Sequence, residues 1–209
     1  PLVPDADQVH QSPIGKIVFG TIQEPRLNQY NNKLEWSLGL VFDMKTAQVL
    51  IDIADQALKE AAKRSPKVAA QITQAKLPYK PAQILQPDGT KLPDPDNLLF
   101  TFKRNATRMV AATGEEARTS APIIYGSDGT PLTSFNKVIG KETTGIVVFK
   151  TYVYDKFSVG CQFQIEGFQI SELNEGGSAP ATLAPIAGNV TNETESLSIL
   201  DGEEVLPPL

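Results

Sequence analysis

Two clusters of residues carry chemistry that this chain could perform. Between 98 and 112, Phe100 and Phe102 are interleaved with Lys103, Arg104 and Arg108, the densest mixing of aromatic and basic side chains in the sequence. Further on, Lys150, Tyr152 and Tyr154 stand at every second position, which puts all three on one face of a strand. Flat rings beside cations suit two tasks at once, the stacking of unpaired bases and the neutralisation of phosphates. Arg26, Tyr30 and Lys33 around a turn, and Tyr79 between Lys76 and Lys80, repeat the combination more thinly. A plainer account fits the same residues: phenylalanines in a core, bases on a solvated face, and tyrosines bridging the two.

Catalytic constellations are scarce. The only cysteine, Cys161, falls on the apolar side of a strand pattern, and the only histidine, His10, lies in a polar arm. No Cys/His zinc motif, Cys/His or Ser/His pair, or glycine-rich phosphate loop can be assembled from the sequence. An enzyme is therefore not expected, nor a metal or cofactor, although a carboxylate pair brought together by folding stays open. With one cysteine no internal disulfide forms, which fits a reducing compartment. There is no apolar run of transmembrane length, and PLVPDADQVHQSP lacks the basic-then-apolar order of a signal peptide, so no membrane partner is expected.

The elements that must position these side chains read mainly as strands. The stretch GIVVFKTYVYDKFSVGCQFQIEGFQI, residues 145–170, is a long hairpin turning near Asp155 and Lys156. Val147, Phe149, Thr151 and Val153 share one face of its first strand, and Val159, Cys161, Phe163 and Ile165 share one face of the second. Earlier, KIVFGTIQ reads as a strand broken by Glu24-Pro25-Arg26. Residues 33–42 alternate with Leu34, Trp36, Leu38, Leu40 and Phe42 on the apolar side, and Trp36 suits the core better than a base. A helix from a Thr46 cap to Arg64 carries Val49, Leu50, Ile53, Leu58 and Ala61 as its apolar stripe, and Pro66 opens a second short helix to about Gln74. The proline-rich stretch 76–97 reads as irregular, with a turn at Asp88-Gly89. Strands follow at 98–104, 106–112 and 121–125, with a turn at 127–129 and a loop over 133–141.

The net charge of −5 hides an asymmetry. Seven of the 24 acids lie between Ser171 and Leu209, where there is no lysine or arginine, so residues 1–170 hold 17 acids against 19 bases, a net +2. Residues 174–200 have the composition of a disordered linker, and DGEEVLPPL ends the chain as an acidic cluster with an apolar tip. The organisation expected is a flexible arm (1–13), one mainly β domain with a helical insertion (14–173) and a disordered acidic tail (174–209).

Such strands around one helical insertion, ending in a hairpin, fit a small barrel of the OB type. The order of four pieces narrows this: GKIVFGTIQEPR, then KLEWSLGLVF running into a helix, then PIIYGSDGTPL, then FSVGCQFQIEGFQISEL. In that order they resemble the OB-fold single-stranded DNA-binding proteins of tailed bacteriophages, the group with an acidic C-terminal tail. The resemblance spans most of 14–173. It implies a non-catalytic role in phage DNA replication and recombination, in the cytoplasm of an infected bacterium, protecting and melting single strands. It also implies replication proteins as partners of the acidic tail, and leaves pairing into a homodimer open. The DNA contacts expected are Lys103, Arg104, Arg108, Lys150, Tyr152 and Tyr154, then Arg26, Tyr30, Lys33 and Tyr79. A phage β-barrel structural or assembly protein that binds no DNA is the alternative.

Overall fold

Five long strands curl around one cluster of phenylalanines. The computed structural model describes residues 8–29, 32–109, 114–132 and 143–171. Strand β2 (Gly15–Asn28) pairs antiparallel with β3 (Lys33–Asp43), and β3 with β5 (Lys91–Asn105). Strands β9 (Thr144–Tyr154) and β10 (Gly160–Ile170) form the expected hairpin. The start of β9 also takes Gly15 and Lys16 of β2, and β10 runs parallel to β5, Phe163 opposite Phe102. The order β9-β2-β3-β5-β10 thus closes on itself, a five-stranded barrel of OB type.

Alternation explains what fills it. Leu38, Leu40 and Phe42 of β3, Phe100 and Phe102 of β5, Val147, Phe149 and Val153 of β9, and Cys161, Phe163 and Ile165 of β10 all point inward and are buried. The rings of Phe149 and Phe163 lie 4.5 Å apart, with Phe102 5.3 Å from Phe149 and 5.6 Å from Phe163. Trp36 is buried, as its position predicts, but Leu34, paired with Leu27 near the tip of the β2–β3 hairpin, is 46% exposed.

One face of helix α1 (Met44–Arg64) packs on the barrel. Its buried side is Ala47, Leu50, Ala54, Ala57, Leu58 and Ala61, a helical repeat that leaves Val49 exposed. The cap is Asp43, not Thr46. The Asp43 carboxylate accepts from the Thr46 backbone N–H at 2.9 Å and from its hydroxyl at 2.6 Å. Helix α2 (Pro66–Gln71) and a 3-10 turn (Ile72–Gln74) follow, within the span that Pro66 announces.

The stretch 76–97 is not irregular. It forms β4 (Tyr79–Leu85) and the first half of β5, joined by the turn at Asp88-Gly89. Its prolines mislead because each stands where a missing N–H costs little. Pro81 is in β4, whose only strand partner among the described residues is β5, and Pro93 and Pro95 precede Asn97, where β5 begins to pair with β3. Similarly, Glu24-Pro25-Arg26 does not end a strand: the ladder lapses after Thr21 opposite Ser37 and resumes at Arg26 opposite Glu35.

Smaller pieces complete the fold. Strand β1 (His10–Gln11) pairs with β9, and the Val147 N–H donates to Ser12 Oγ at 2.9 Å, so the N-terminal arm is docked from His10 onward rather than loose. Strands β6 (Thr107–Met109) and β7 (Glu116–Arg118) make a hairpin, and β8 (Ile123–Tyr125) runs parallel to β10. The loop read at 133–141 and the tail read at 174–209 lie outside the described residues, as does the end of the strand read at 106–112.

Candidate functional site

The inward residues of the barrel decide what its outer surface holds. Because Phe100 and Phe102 face the core, Thr101 and Lys103 face out. Because Val153 and Cys161 face in, Tyr154 and Gln162 face out, and the Gln162 side-chain amide donates to the Lys103 carbonyl at 3.3 Å. The chain leaving the 3-10 turn crosses this face: the Lys76 N–H donates to Val159 O and the Cys161 N–H to Lys76 O. That crossing builds one wall of a groove of about 400 Å³, lined by Lys76, Leu77, Pro78, Tyr79, Lys80, Thr101, Lys103, Tyr154, Cys161 and Gln162.

Three lysines and two tyrosines therefore converge. Tyr79 packs on Phe100, ring centres 5.1 Å apart, so one side of its ring is braced by the core. Tyr154 lies over Gly160, where a Cβ would collide with its ring. Burial pushes both phenols above their ordinary range, aided by Asp55 near Tyr79 and by Cys161 near Tyr154. Both rings thus stay neutral at physiological pH and add no negative charge to a lysine groove. Lys76 and Lys80 have no acidic partner among the described residues.

A second hollow of about 290 Å³ adjoins the first across Lys103 and is lined by Arg26, Leu27, Asn28, Gln29, Glu35, Ser37 and Lys103. Lys103 reaches Glu35 at 3.3 Å. On the same outer face, Tyr152 stands opposite Gln162 and Lys150 opposite Gln164. Both are partly exposed.

The residues expected from sequence are thus divided. Lys103, Tyr79 and Tyr154 meet in the groove, Arg26 joins them in the adjoining hollow, and Lys150 and Tyr152 extend the face along β9. Lys33 is exposed at the start of β3. Arg104 is elsewhere. The alternation that turns Lys103 outward turns Arg104 inward at the end of the barrel, where it donates to Glu166 at 2.7 Å and to Ser120 Oγ at 3.1 Å. A bulge in β10 between Ile165 and Gly167 accompanies that pairing, and the Arg104 side chain keeps only 15% of its exposure. The Arg108 side chain and Tyr30 lie outside the described residues.

Sequence reasoning missed Phe157. It stands 90% exposed in the turn between β9 and β10, with Lys156 Nζ 5.2 Å from its ring centre. The turn is held from behind, since Lys67 of α2 donates to the carbonyls of Asp155 and Lys156 and Ser65 Oγ donates to the Asp155 carboxylate. A phenylalanine presented on a braced turn gains nothing for folding, which sets it apart from the partly buried tyrosines. The signal available was its position: a ring inside the turn of a hairpin cannot belong to either strand face.

No family model matches the chain, and no curated protein is similar to it in sequence. Solved structures are similar in fold. The crystal structure of gp2.5, a single-stranded DNA-binding protein encoded by bacteriophage T7, superposes with a TM-score of 0.60 at 16% identity, covering 83% of this chain and 99% of that one. A C-terminally truncated single-stranded DNA-binding protein from bacteriophage Enc34 gives 0.54 at 11% identity, covering 82% and 87%. The Enc34 protein in complex with single-stranded DNA gives 0.51 at 10% identity, covering 81% and 89%. The fold is that of these phage proteins.

Proposed function

We propose that this chain is a non-catalytic single-stranded DNA-binding protein acting in phage DNA replication and recombination. The observation that carries the reading is the groove itself, where Lys76, Lys80 and Lys103 converge with the neutral rings of Tyr79 and Tyr154. Lysines along a groove neutralise a sugar-phosphate backbone whatever its sequence, and ring faces stack on bases only when the bases are unpaired. Phe157 and Lys156 extend the groove's chemistry onto the turn that follows Tyr154, and Arg26, Lys150 and Tyr152 extend it across the sheet. Arg104 is left out, since it turns inward and is held by Glu166 with its side chain only 15% exposed, whereas the Lys103 side chain is 35% exposed. The fold shared with the two phage proteins supports the same reading, and one of them is described in complex with single-stranded DNA.

The acidic C-terminal stretch belongs to the proposal on composition alone. Seven carboxylates can occupy the lysine groove when DNA is absent and turn to a basic replication protein when DNA displaces them. The direct test of binding is a gel shift with single-stranded oligonucleotides of increasing length. Length-dependent retardation that weakens steeply with salt is expected; a barrel serving only in phage structure or assembly shows none.

A further inference from the structure

The hollow beside Lys103 holds one group that a phosphate-binding surface should avoid, the carboxylate of Glu35. It is not a surface accident. Glu35 is 8% exposed, and its Oε1 accepts from Asn28 Nδ2 at 2.5 Å and from Lys103 Nζ at 3.3 Å. Oε2 has no partner among the described residues, yet it is not among the sealed polar atoms, which are Trp36 Nε1 and Arg104 Nε. The carboxylate of this lining residue is therefore fixed through one oxygen, and its other oxygen is not sealed. Arg26 and Lys103 flank it, and Ser37 lies beside it. Cations at the two sides can take phosphates; an anion between them opposes a phosphate and favours a donor.

We propose that this hollow is a base-edge subsite in which Glu35 accepts hydrogen bonds from an amine-bearing nucleobase, guanine above all. The inference rests on the single-strand reading given above. In a single strand the pairing edge of each base is free. Guanine presents two adjacent donors there, N1–H and the 2-amino group, and the one open oxygen has two lone pairs with which to accept from both. Cytosine and adenine each present one amine beside an acceptor. Thymine presents one N–H between two carbonyls, which a carboxylate repels. The chain thus binds all single strands through the groove and prefers those that place a guanine at Glu35.

The test is fluorescence anisotropy with an oligonucleotide of about 16 thymidines, a length that spans one OB-type site, against the same strand carrying one central dG, dC, dA or deoxyinosine. The dG strand should bind about fivefold tighter or more than the all-thymidine strand. Deoxyinosine, which lacks the 2-amino group, should lose most of that gain. In Glu35→Gln the dG advantage over the all-thymidine strand, both measured on the same variant, should vanish. Equal affinities across the wild-type series overturn the subsite but leave the single-strand reading standing. A uniform loss for every strand in Glu35→Gln also overturns it and makes Glu35 a brace for Asn28 and Lys103. No binding of any strand by the wild-type chain overturns both readings. The deoxyinosine comparison needs no mutant, so it holds even where the substitution impairs folding.

Discussion

Lys103 and Arg104 are neighbours with opposite fates. One lies in the groove; the other is locked to Glu166 where their side chains are 15% and 9% exposed. Period-two alternation guarantees that only one of them can face out, but choosing which requires knowing that Phe100 and Phe102 both enter the core. Arg104→Ala should destabilise the fold by roughly 3–5 kcal/mol, because it strands a nearly buried carboxylate, and should leave oligonucleotide affinity unchanged in the folded fraction. Phe157→Ala should do the reverse, leaving the melting temperature alone and weakening single-strand binding by about 1–3 kcal/mol. Thermal melts paired with anisotropy titrations separate the two effects. Cys161 belongs to neither class. Burial pushes its thiol up to about 12, so a thiol-directed aromatic disulfide at pH 8 should label the unfolded chain and spare the native one.

At the level of elements, the sequence is most readable where local chemistry repeats. Asp88-Gly89-Thr90 and Asp128-Gly129-Thr130 form the same turn. In each, the aspartate accepts from the threonine N–H at 2.9 or 3.0 Å and from its hydroxyl at 2.7 Å, and the glycine has a φ of +85° or +78°. Both turns are legible in sequence for that reason. The long hairpin 144–170 is equally legible, because its apolar alternation runs unbroken to Ile165. The β4–β5 hairpin is not, because proline signals a break, and only the finished sheet reveals that Pro81, Pro93 and Pro95 stand where, among the described residues, β4 and β5 pair with each other alone. The groove depends on that hairpin, so its Tyr79 wall is visible as a residue type but not as a place. Gly160→Ala tests the other wall. A methyl there meets Tyr154 and comes 2.9 Å from Lys76 O, so single-strand affinity should fall through displacement of the ring even though no DNA contact is deleted. Hydrogen bonds from Thr46, Thr90 and Thr130 hold Asp43, Asp88 and Asp128 below the ordinary carboxylate range. Groups depressed on folding stabilise above their unfolded range and lose that contribution as pH falls through the folded one. Acid melts of Asp43→Ala should therefore converge with wild type at low pH and lie below it near neutrality.

For the whole molecule, the division of charge matters more than the total of −5. A body near +2 carries a lysine groove, while seven acids lie beyond Ser171. A linker of that composition spans roughly 30 Å, comparable with the width of a small domain. Removing residues 174–209 should therefore raise single-strand affinity at low salt, and the gain should shrink as salt rises; identical isotherms at low salt would reduce the tail to a solubilising role. The central claim is more direct: rings in a lysine groove need unpaired bases. A competition titration settles it, with a labelled single strand displaced by unlabelled single-stranded or duplex DNA of the same sequence at one salt concentration. The account predicts that the single strand competes far better than the duplex, and that Tyr154→Ala narrows the gap. Equal competition by duplex would contradict it and reduce the groove to a patch of positive charge.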